Sequence, residues 1–344
     1  MPLRRPHRLL AAGLAATALA TAALGADITA AAGAPHSADK GTNVLIVGVD
    51  ARKHLSKAQR DWLHVGGTAC DCTDVMMLAH LSADGRRLSV LSIPRDSYVR
   101  FAPHTDPADG SRGSTHEGKI NGAYAHGGAD LAIRTVEQAT GLGIDHFLSF
   151  TFDGFADLVD SFGGSKVCTD KRMWDDFSGL HLNPGTRVLD GRRTLRYVRT
   201  RHVDPPGDLP RMRRQQRVVA DGLARVLGSG DLDDVGGRVT AAAKVLRAAR
   251  LNSMTGLDDL IELGYAARNL SMAKTEFATV PIADVNYPSK RWGSAVRWDD
   301  HRAAPLFRAL REDRPLRPVD RRNPHVRGDS EGTAAAGSKL LCED

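Results

Sequence analysis

The chain has 344 residues, 42% of them hydrophobic, which suits one large globular domain or two small ones. The net charge is +6, and 37 of the 47 basic residues are arginine. The basic balance alone would allow nucleic-acid binding, but the chain has no helix-turn-helix pattern and begins with an export-type segment. Nucleic acid is therefore not an expected partner.

The first 26 residues have the features of a signal peptide or a membrane anchor. A basic start with Arg4, Arg5 and Arg8 precedes an uncharged, alanine-rich run over residues 9–26. Both interpretations place the rest of the chain outside the cytoplasm, either secreted or anchored at the membrane surface. Residues 27–42 are small and polar, which predicts a linker. In an oxidising compartment the four cysteines predict one or two disulfides, among three possible connectivities.

Three strands are predicted next, and each brings polar side chains to one of its ends. The apolar run 43–50 ends in Asp50, and Asp74 immediately precedes a second apolar run. A third strand at 87–94, paired to the second as a hairpin, leads into Arg95 and Asp96. Ligands of open α/β sheets bind at strand ends, so these polar residues are candidates for a site.

Strands that alternate with helices predict an α/β domain over residues 43–230. The elements expected after the third strand are a helix (129–140), a strand (144–151), a helix capped by Asp153 (153–162), a strand (166–169) and helices from Leu189 to about Arg201 and from Arg211 to about Leu227. Residues 231–314 are predicted to form a helical extension packed on the same domain, although 276–282 has a strand pattern. The tail, 315–344, is rich in proline, glycine, serine and charge, which predicts disorder.

The most unusual stretch is 187–217, with ten arginines and three aspartates, a local charge of +7. The planar guanidinium binds phosphate or carboxylate bidentately, so this excess indicates an anion site. The alternative is a solvated helix face in an arginine-rich protein. Arg199 and Arg201 are two residues apart and would face different sides of a helix, so the chain must leave helical geometry there to direct both at one anion.

Taken in order, these segments resemble the LytR-CpsA-Psr family of cell-wall glycopolymer ligases over residues 43 to about 228. The segments that carry the resemblance are Gly48-Val49-Asp50-Ala51-Arg52, Thr73-Asp74-Val75-Met76-Met77-Leu78, Ser92-Ile93-Pro94-Arg95-Asp96, Lys119-Ile120-Asn121-Gly122-Ala123-Tyr124 with Gly127-Gly128, Val159-Asp160-Ser161-Phe162-Gly163-Gly164, Leu189-Asp190-Gly191, Tyr197-Val198-Arg199-Thr200-Arg201-His202, and Asp208 with Arg211, Arg214, Gln215 and Gln216.

The resemblance implies a central mixed β-sheet flanked by helices, with a hydrophobic lipid-binding cavity between them. It also implies an extracytoplasmic, Mg²⁺-dependent phosphotransferase that moves a glycopolymer from a polyprenyl-pyrophosphate carrier onto peptidoglycan and forms a phosphodiester. One departure is visible, because Cys72 occupies a position where the family often has arginine. Arg52 or an arginine of the 187–217 stretch could replace that pyrophosphate contact.

The expected roles follow from the charge of a pyrophosphate, whose transfer depends on positioning and neutralisation. The candidates are Asp50 and Asp74 for Mg²⁺; Arg95, Arg199, Arg201, Asp208 and Arg211 for catalysis; and Arg52, Asp96, Lys119, Asn121, Arg214 and Gln215 for substrate binding. Asp96 is expected to orient an arginine. Asp208 could do the same or accept the proton of the attacking hydroxyl, and Asn121 could equally close a loop.

Two rival functions use the same residues. With water as the acceptor the protein would be a polyprenyl-pyrophosphate phosphatase, and without chemistry it would be a binding protein for anionic wall polymer, indifferent to Asp50 and Asp74. The thirteen histidines are scattered, and His54, His64, His104 and His116 form no recognisable metal-binding spacing.

Overall fold

The computed structural model describes residues 40–66, 70–107, 110–203, 208–230, 232–251, 255–289, 291–316 and 334–342. Fifteen strands lie within these ranges: β1 (Thr42–Val49), β2 (Thr73–Leu81), β3 (Leu88–Ser92), β4 (Tyr98–Arg100), β5 (Glu117–Lys119), β6 (His146–Phe150), β7 (Ser165–Thr169), β8 (Met173–Asp175), β9 (Leu180–Leu182), β10 (Gly185–Leu189), β11 (Ala249–Leu251), β12 (Thr275–Thr279), β13 (Ile282–Ser289), β14 (Gly293–Trp298) and β15 (Ala335–Ala336). The α-helices of the same ranges are α1 (Lys57–Leu63), α2 (Gly122–Thr140), α3 (Phe152–Ser161), α4 (Gly191–Arg199), α5 (Leu209–Gly228), α6 (Val235–Ala248), α7 (Leu257–Ala266) and α8 (Asp300–Arg311).

Seven strands form one mixed sheet in the order β11-β6-β1-β2-β3-β12-β15. β1 is antiparallel to β2 and parallel to β6, and β2 is antiparallel to β3. Gly48 of β1 pairs with Val75, and Met77 pairs with Ser92 of β3. The end of β1, the start of β2 and the end of β3 therefore lie at one edge, as the sequence predicted.

The two faces of the sheet are covered by different helices because side chains alternate along each strand. On one face Leu45 packs in a buried cluster with Val136 of α2 and Leu310 of α8. On the other face Met77 packs with Ala220 of α5, and α6 and α7 add partly buried side chains. The expected mixed sheet flanked by helices is confirmed.

A third buried cluster joins α1, α3 and α4 to the small strands β7–β10. Leu63, Val167 and Leu195 belong to it, together with Tyr197, whose side chain is 1% exposed. This packing fixes α4 beside the edge of the sheet where β1 ends.

Several element boundaries differ from the predictions. α2 starts at Gly122, seven residues earlier than predicted, and is kinked where Gly127 and Gly128 leave helical geometry. Thr151 rather than Asp153 caps α3, since its hydroxyl accepts from the Gly154 amide at 3.4 Å.

The segment 231–314 is not only helical. α6, α7 and α8 form, but β11 and β12 enter the central sheet, and β13 and β14 form a hairpin. β12 lies parallel to β3, with Phe277 opposite Val90. A three-residue strand such as β11 is too short to give a periodic signal, which is why the helical interpretation was wrong there.

The prediction of a disordered tail is wrong for residues 334–342. β15 pairs with β12 at the edge of the sheet, and a 3₁₀ turn follows over Gly337–Leu340. Cys342 is bonded to Cys168 at the end of β7, and Cys70 is bonded to Cys72, which confirms the predicted disulfides. Composition did not predict that residues 334–342 are ordered, because a disulfide and the pairing of β15 with β12 stabilise this segment.

The proposed signal or anchor segment, 1–26, and most of the proposed linker lie outside the described residues; β1 already begins at Thr42. Within the described ranges, no helix has both the length and the hydropathy that crossing a bilayer requires.

Candidate active site

A polar cleft opens at the strand ends of the sheet, where β1 ends and β2 begins. It is lined by Asp50, Arg52, Cys70, Asp74, Arg95, Asp175, Phe177, Ser178, Arg199, Arg201, His202 and Arg211. Seven of the thirteen residues predicted for the site are in this set. The structure thus brings together both predicted metal ligands and four of the five predicted catalytic residues.

Asp50 follows β1 and is 5% exposed. Both of its carboxylate oxygens accept hydrogen bonds from the guanidinium of Arg52, which also donates to the carbonyl of Gly66. The Asp50 amide donates to the Cys72 carbonyl at 2.9 Å, and this bond fixes the carboxylate beside the start of β2. Arg52 is therefore positioned in the cleft by its ion pair with Asp50.

Arg95 is surrounded by carboxylates. Its guanidinium donates to Asp74, and its Nε lies 3.1 Å from Asp208 and 3.6 Å from Asp96. Burial disfavours the charged form, but the three carboxylates outweigh it and raise the pKa of Arg95 above its ordinary value. Lys119 of β5 lies 3.2 Å from Asp96, so Asp96 links two cations, in keeping with its predicted orienting role.

Arg199 is the last residue of α4, and its partners are not carboxylates. It donates to the His64 carbonyl at 3.0 Å and lies over the Phe152 ring at 5.0 Å. Among the described residues, no carboxylate forms an ion pair with it within 4.0 Å. Burial is the main reason that the pKa of Arg199 is lowered, which indicates a guanidinium ready to be neutralised by an anion.

The chain leaves the helix at Thr200, whose ψ of 134° is extended, so Arg199 and Arg201 both reach the cleft. Arg201 Nε lies 3.4 Å from Asp208, and Arg211 donates to Asp208 at 2.8 Å. The predicted departure from helical geometry is confirmed.

Asp208 is held by three arginines, and its pKa reflects this. Burial acts to raise the pKa, but Arg211, Arg201 and Arg95 together lower it below its ordinary value. A carboxylate with a depressed pKa is a weak proton acceptor, because it holds a proton poorly. Of the two roles considered for Asp208, the geometry favours orientation of the arginines.

Arg211 is buried, at 3% exposed, and burial lowers its pKa to about 10. Its Nε is buried and receives no partner from the described residues. A buried donor without an acceptor is costly, so this atom is suited to a ligand oxygen in the cleft.

Asp175, Ser178 and His202 form a further wall of the cleft, and none of them was predicted as a site residue. Asp175 accepts from the amides of Arg201 at 3.1 Å and Phe177 at 3.0 Å, and from His202 Nδ1 at 3.2 Å. Burial would raise the pKa of Asp175, but these hydrogen bonds lower it. Asp175 ends a three-residue strand, and no sequence signal we recognise would have found it.

The structure does not bring every predicted residue to the cleft. Arg214 donates to the carbonyls of Tyr197, at 3.1 Å, and Thr200, so it supports the end of α4 rather than lining the cleft. The backbone of Asn121 donates to the Arg95 carbonyl at 3.2 Å and accepts from Thr73 at 3.4 Å, which is the loop-closing alternative. Gln215 lines a neighbouring cavity.

That cavity is apolar, has a volume of about 370 Å³ and lies between the sheet and α3–α6. Its walls are mainly aliphatic and aromatic and include Phe150, Phe155, Leu158, Val218 and Val245. The cavity and the polar cleft share three lining residues, which are Asp74, Arg199 and Arg211. The two spaces therefore meet at a wall that carries two guanidinium groups and one carboxylate.

The donor set of Asp50 and Asp74 fits a magnesium ion. Mg²⁺ is commonly bound by one or two carboxylates together with phosphate oxygens and water, and Asp50 and Asp74 offer two carboxylates in one cleft. Only one oxygen of Asp74 receives a hydrogen bond from a described residue, that of Arg95. Both oxygens of Asp50 accept from Arg52, so Asp50 would share its carboxylate between the guanidinium and the ion.

The chain matches a known protein family over most of its length. The model of the LytR_cpsA_psr family matches residues 15–297. The probable cell wall biosynthesis protein LcpB of Corynebacterium glutamicum is 33% identical over 79% of this chain and 61% of its own length. The polyisoprenyl-teichoic acid–peptidoglycan teichoic acid transferase TagU of Bacillus cereus is 31% identical over 50% of this chain and 53% of its own length. The chain thus spans about three fifths or less of these relatives.

Solved structures agree on the fold. The LytR-Csp2A-Psr enzyme from Actinomyces oris matches with a TM-score of 0.59 at 20% identity, covering 79% of this chain and 90% of its own. TagT of B. subtilis matches with a TM-score of 0.56 at 23% identity, covering 81% and 92%. At such identities the likeness concerns the architecture, which is the one described above.

Proposed function

Because the chain belongs to the LytR-CpsA-Psr family, we propose that it is a phosphotransferase that moves a glycopolymer from a polyprenyl-pyrophosphate carrier onto peptidoglycan. The names of two relatives support the proposal, since LcpB is a probable cell wall biosynthesis protein and TagU is a teichoic acid transferase. The solved structure of TagT bound to LI-WTA, at 23% identity, is consistent with it.

The junction of cleft and cavity is the observation that carries the proposal. A glycan-linked polyprenyl pyrophosphate has a doubly charged head on a long apolar tail, which matches an arginine-lined cleft that opens into an apolar cavity. The tail would occupy the cavity lined by Phe150 and Phe155, and the pyrophosphate would lie beside Arg199 and Arg211. The ring of Phe152, 5.0 Å from Arg199 and 5.8 Å from Arg52, lies between the two environments.

In the proposed reaction, a hydroxyl oxygen of peptidoglycan attacks the phosphorus that carries the glycan. The new P–O bond forms as the bond to the bridging oxygen breaks, so polyprenyl phosphate leaves and a phosphodiester remains. The hydroxyl proton passes to water or to the departing phosphate, in line with the low pKa of Asp208. Phosphoryl transfer requires mainly orientation and charge stabilisation, which Arg95, Arg199, Arg201 and Arg211 are placed to give.

Asp50 and Asp74 would hold Mg²⁺ against the pyrophosphate, where the ion would neutralise charge on the phosphate oxygens. The hydrogen bonds from Arg52 orient Asp50, and the hydrogen bond from Arg95 orients Asp74. The substrate would be presented at a membrane surface outside the cytoplasm, because its carrier is a lipid and its acceptor belongs to the wall.

The test is reconstitution with a polyprenyl-pyrophosphate-linked glycan, a peptidoglycan fragment and Mg²⁺, with mass spectrometry of the products. We expect a phosphodiester-linked product and polyprenyl phosphate, both dependent on the acceptor. Release of glycan phosphate at the same rate without the acceptor would instead indicate a phosphatase. Binding of wall polymer with no turnover, unaffected by Asp74→Asn, would indicate a binding protein.

A further inference from the structure

Three histidines that are separated in sequence meet beside β5, and none of them lines the polar cleft. His104 follows β4, His116 directly precedes β5, and His126 lies in the first turns of α2. Their ring centroids are 5.2–6.0 Å apart, and one nitrogen from each lies within 4.8 Å of the others. The spacing of the histidines in the sequence gave no indication of this cluster, because the three residues are brought together only by the fold.

The nitrogens of this cluster are buried but have no protein partner among the described residues. These atoms are His104 Nε2, both ring nitrogens of His116 and His126 Nδ1. Buried polar atoms are usually hydrogen-bonded, and an unsatisfied group costs about 1–3 kcal/mol. Because one nitrogen from each ring lies within 4.8 Å of the other two, a single shared ligand could satisfy one nitrogen of each histidine.

The tautomer of His104 is set for binding a cation. Its Nδ1 lies 2.9 Å from the Ala102 carbonyl, to which it donates, so Nε2 carries a lone pair. A hydrogen bond from the second ring nitrogen to a backbone carbonyl is the usual support for a metal-bound histidine. The aromatic rings of Phe101 and Trp292 pack around the cluster and limit its contact with water.

The backbone also brings the group together. Gly127 and Gly128 break α2 immediately after His126, and the positive φ of Gly128, 64°, allows the first turn to take its own direction. A Cβ on Gly127 would lie 2.6 Å from the Leu131 side chain, so the bend needs glycine there. His104 and Ser114 exchange backbone hydrogen bonds at 3.1 and 2.9 Å, which fix the backbone of His104.

We propose that His104, His116 and His126 form a binding site for a transition-metal ion, with Zn²⁺ as the best match and water as the fourth ligand. Three imidazoles and an open position give tetrahedral zinc. Magnesium prefers oxygen ligands and is not expected here, so this site is distinct from the pair Asp50 and Asp74.

The metal would stabilise the segment that supports one wall of the cleft. His116 directly precedes β5, whose Lys119 contacts Asp96 at 3.2 Å. His126 follows Asn121, whose amide donates to the Arg95 carbonyl at 3.2 Å. Metal binding would therefore hold β5 and the start of α2 together, and both segments contact the Arg95–Asp96 pair. The ion itself would not contact the substrate.

The experiment uses the full chain in detergent, carrying no histidine affinity tag and stripped with a chelator. Titration calorimetry with Zn²⁺ should give one ion per chain and a raised melting temperature. The variants His104→Ala, His116→Ala and His126→Ala should each lower the affinity at least about tenfold. The matched controls are His54→Ala and His181→Ala, whose side chains pair with Asp153 and Asp176, and they should bind as the unchanged chain does.

Two further measurements keep the outcome decisive. Co²⁺ in place of Zn²⁺ should give the visible absorption of a tetrahedral complex, which needs no variant to fold. Asp74→Asn should leave the Zn²⁺ affinity unchanged. Absence of Zn²⁺ binding by the unchanged chain, or equal binding by the three cluster variants, would overturn the proposal. His126→Gln, which keeps a polar side chain, serves if an alanine variant does not fold.

Discussion

Arg211 and Arg214 lie one turn apart on α5, yet the two positions differ in what satisfies the guanidinium. Both are buried, and burial lowers both pKa values to about 10. Arg214 is held by backbone carbonyls of α4, whereas Arg211 is held by the side chain of Asp208. A carbonyl of a helix end cannot move away without unfolding, but a carboxylate can rotate. Arg214, whose guanidinium is satisfied by two backbone carbonyls, is therefore part of the fold, whereas Arg211, whose Nε has no partner among the described residues, is available to a ligand.

Arg199 should give the largest effect on activity, because it has no carboxylate to hold it among the residues described. A charge-assisted contact to phosphate contributes about 1.5–3 kcal/mol, so Arg199→Ala should lower transfer at least about tenfold. Arg199→Lys should recover only part, since the planar fork is lost. Initial rates and melting temperatures are measured for both, with Arg247→Ala, an exposed arginine of α6, as the control. Near-normal turnover of Arg199→Ala would break the comparison.

Asp50 and Asp74 should also differ in how far each one contributes to stability as well as to activity. Asp74→Asn should abolish most Mg²⁺-dependent activity with little change in melting temperature, because Asp74 is partly exposed. Asp50→Asn should also lower the melting temperature, since it leaves the buried Arg52 without its charged partner.

If both aspartates hold one ion, the double variant should be little less active than either single variant. Activities are measured over a range of Mg²⁺ concentrations and in EDTA. Losses that add in free energy, or full activity in EDTA, would contradict a shared ion.

Arg214→Ala should affect stability before chemistry. It leaves the carbonyls of Tyr197 and Thr200 without their buried donor, at about 1–3 kcal/mol for each unsatisfied group. We expect a lower melting temperature, and transfer close to normal well below it. A variant that melts normally but fails to turn over would place Arg214 with the ligand-binding arginines.

The smallest effect is a pH dependence from Asp208. Its folded pKa is depressed, so its ionised form stabilises the fold above its unfolded pKa of about 3.9, and that contribution is lost as the pH falls through the folded value. The melting temperature of the unchanged chain should exceed that of Asp208→Asn at neutral pH, and the gap should close in acid. A gap that is the same at every pH would show that the ionised carboxylate is not what the arginines require.

The sequence was informative where short, regular patterns decide the structure. β1 and β2, which lie next to Asp50 and Asp74, are largely apolar runs, and β3 follows β2 as the second strand of a hairpin that leads to Arg95. The spacing of Arg199 and Arg201 required the break at Thr200. The sequence could not predict which side of a packed strand each apolar side chain would face. Phe147 and Phe150 are both apolar residues of β6, but one packs in the core with α2 and the other lines the cavity.

Contacts between distant segments were the other limit. Arg214 and Arg211 have the same chemistry, and only the packing of α5 against α4 separates them. Asp175 and the histidine cluster depend on loops whose ends meet through long-range pairing, for which a single sequence carries no periodic signal.

The bond between Cys168 and Cys342 makes the end of β7 and the segment after β15 chemically interdependent. The cysteines are 174 residues apart, and α4 and α5 lie between them. The bridge can close only after all of the intervening chain has been synthesised. A molecule truncated before Cys342 lacks the bonding partner of Cys168. Its Cys168 therefore remains a thiol that alkylating reagents can label. Thiol labelling would therefore count incomplete molecules in a preparation, independently of any activity assay.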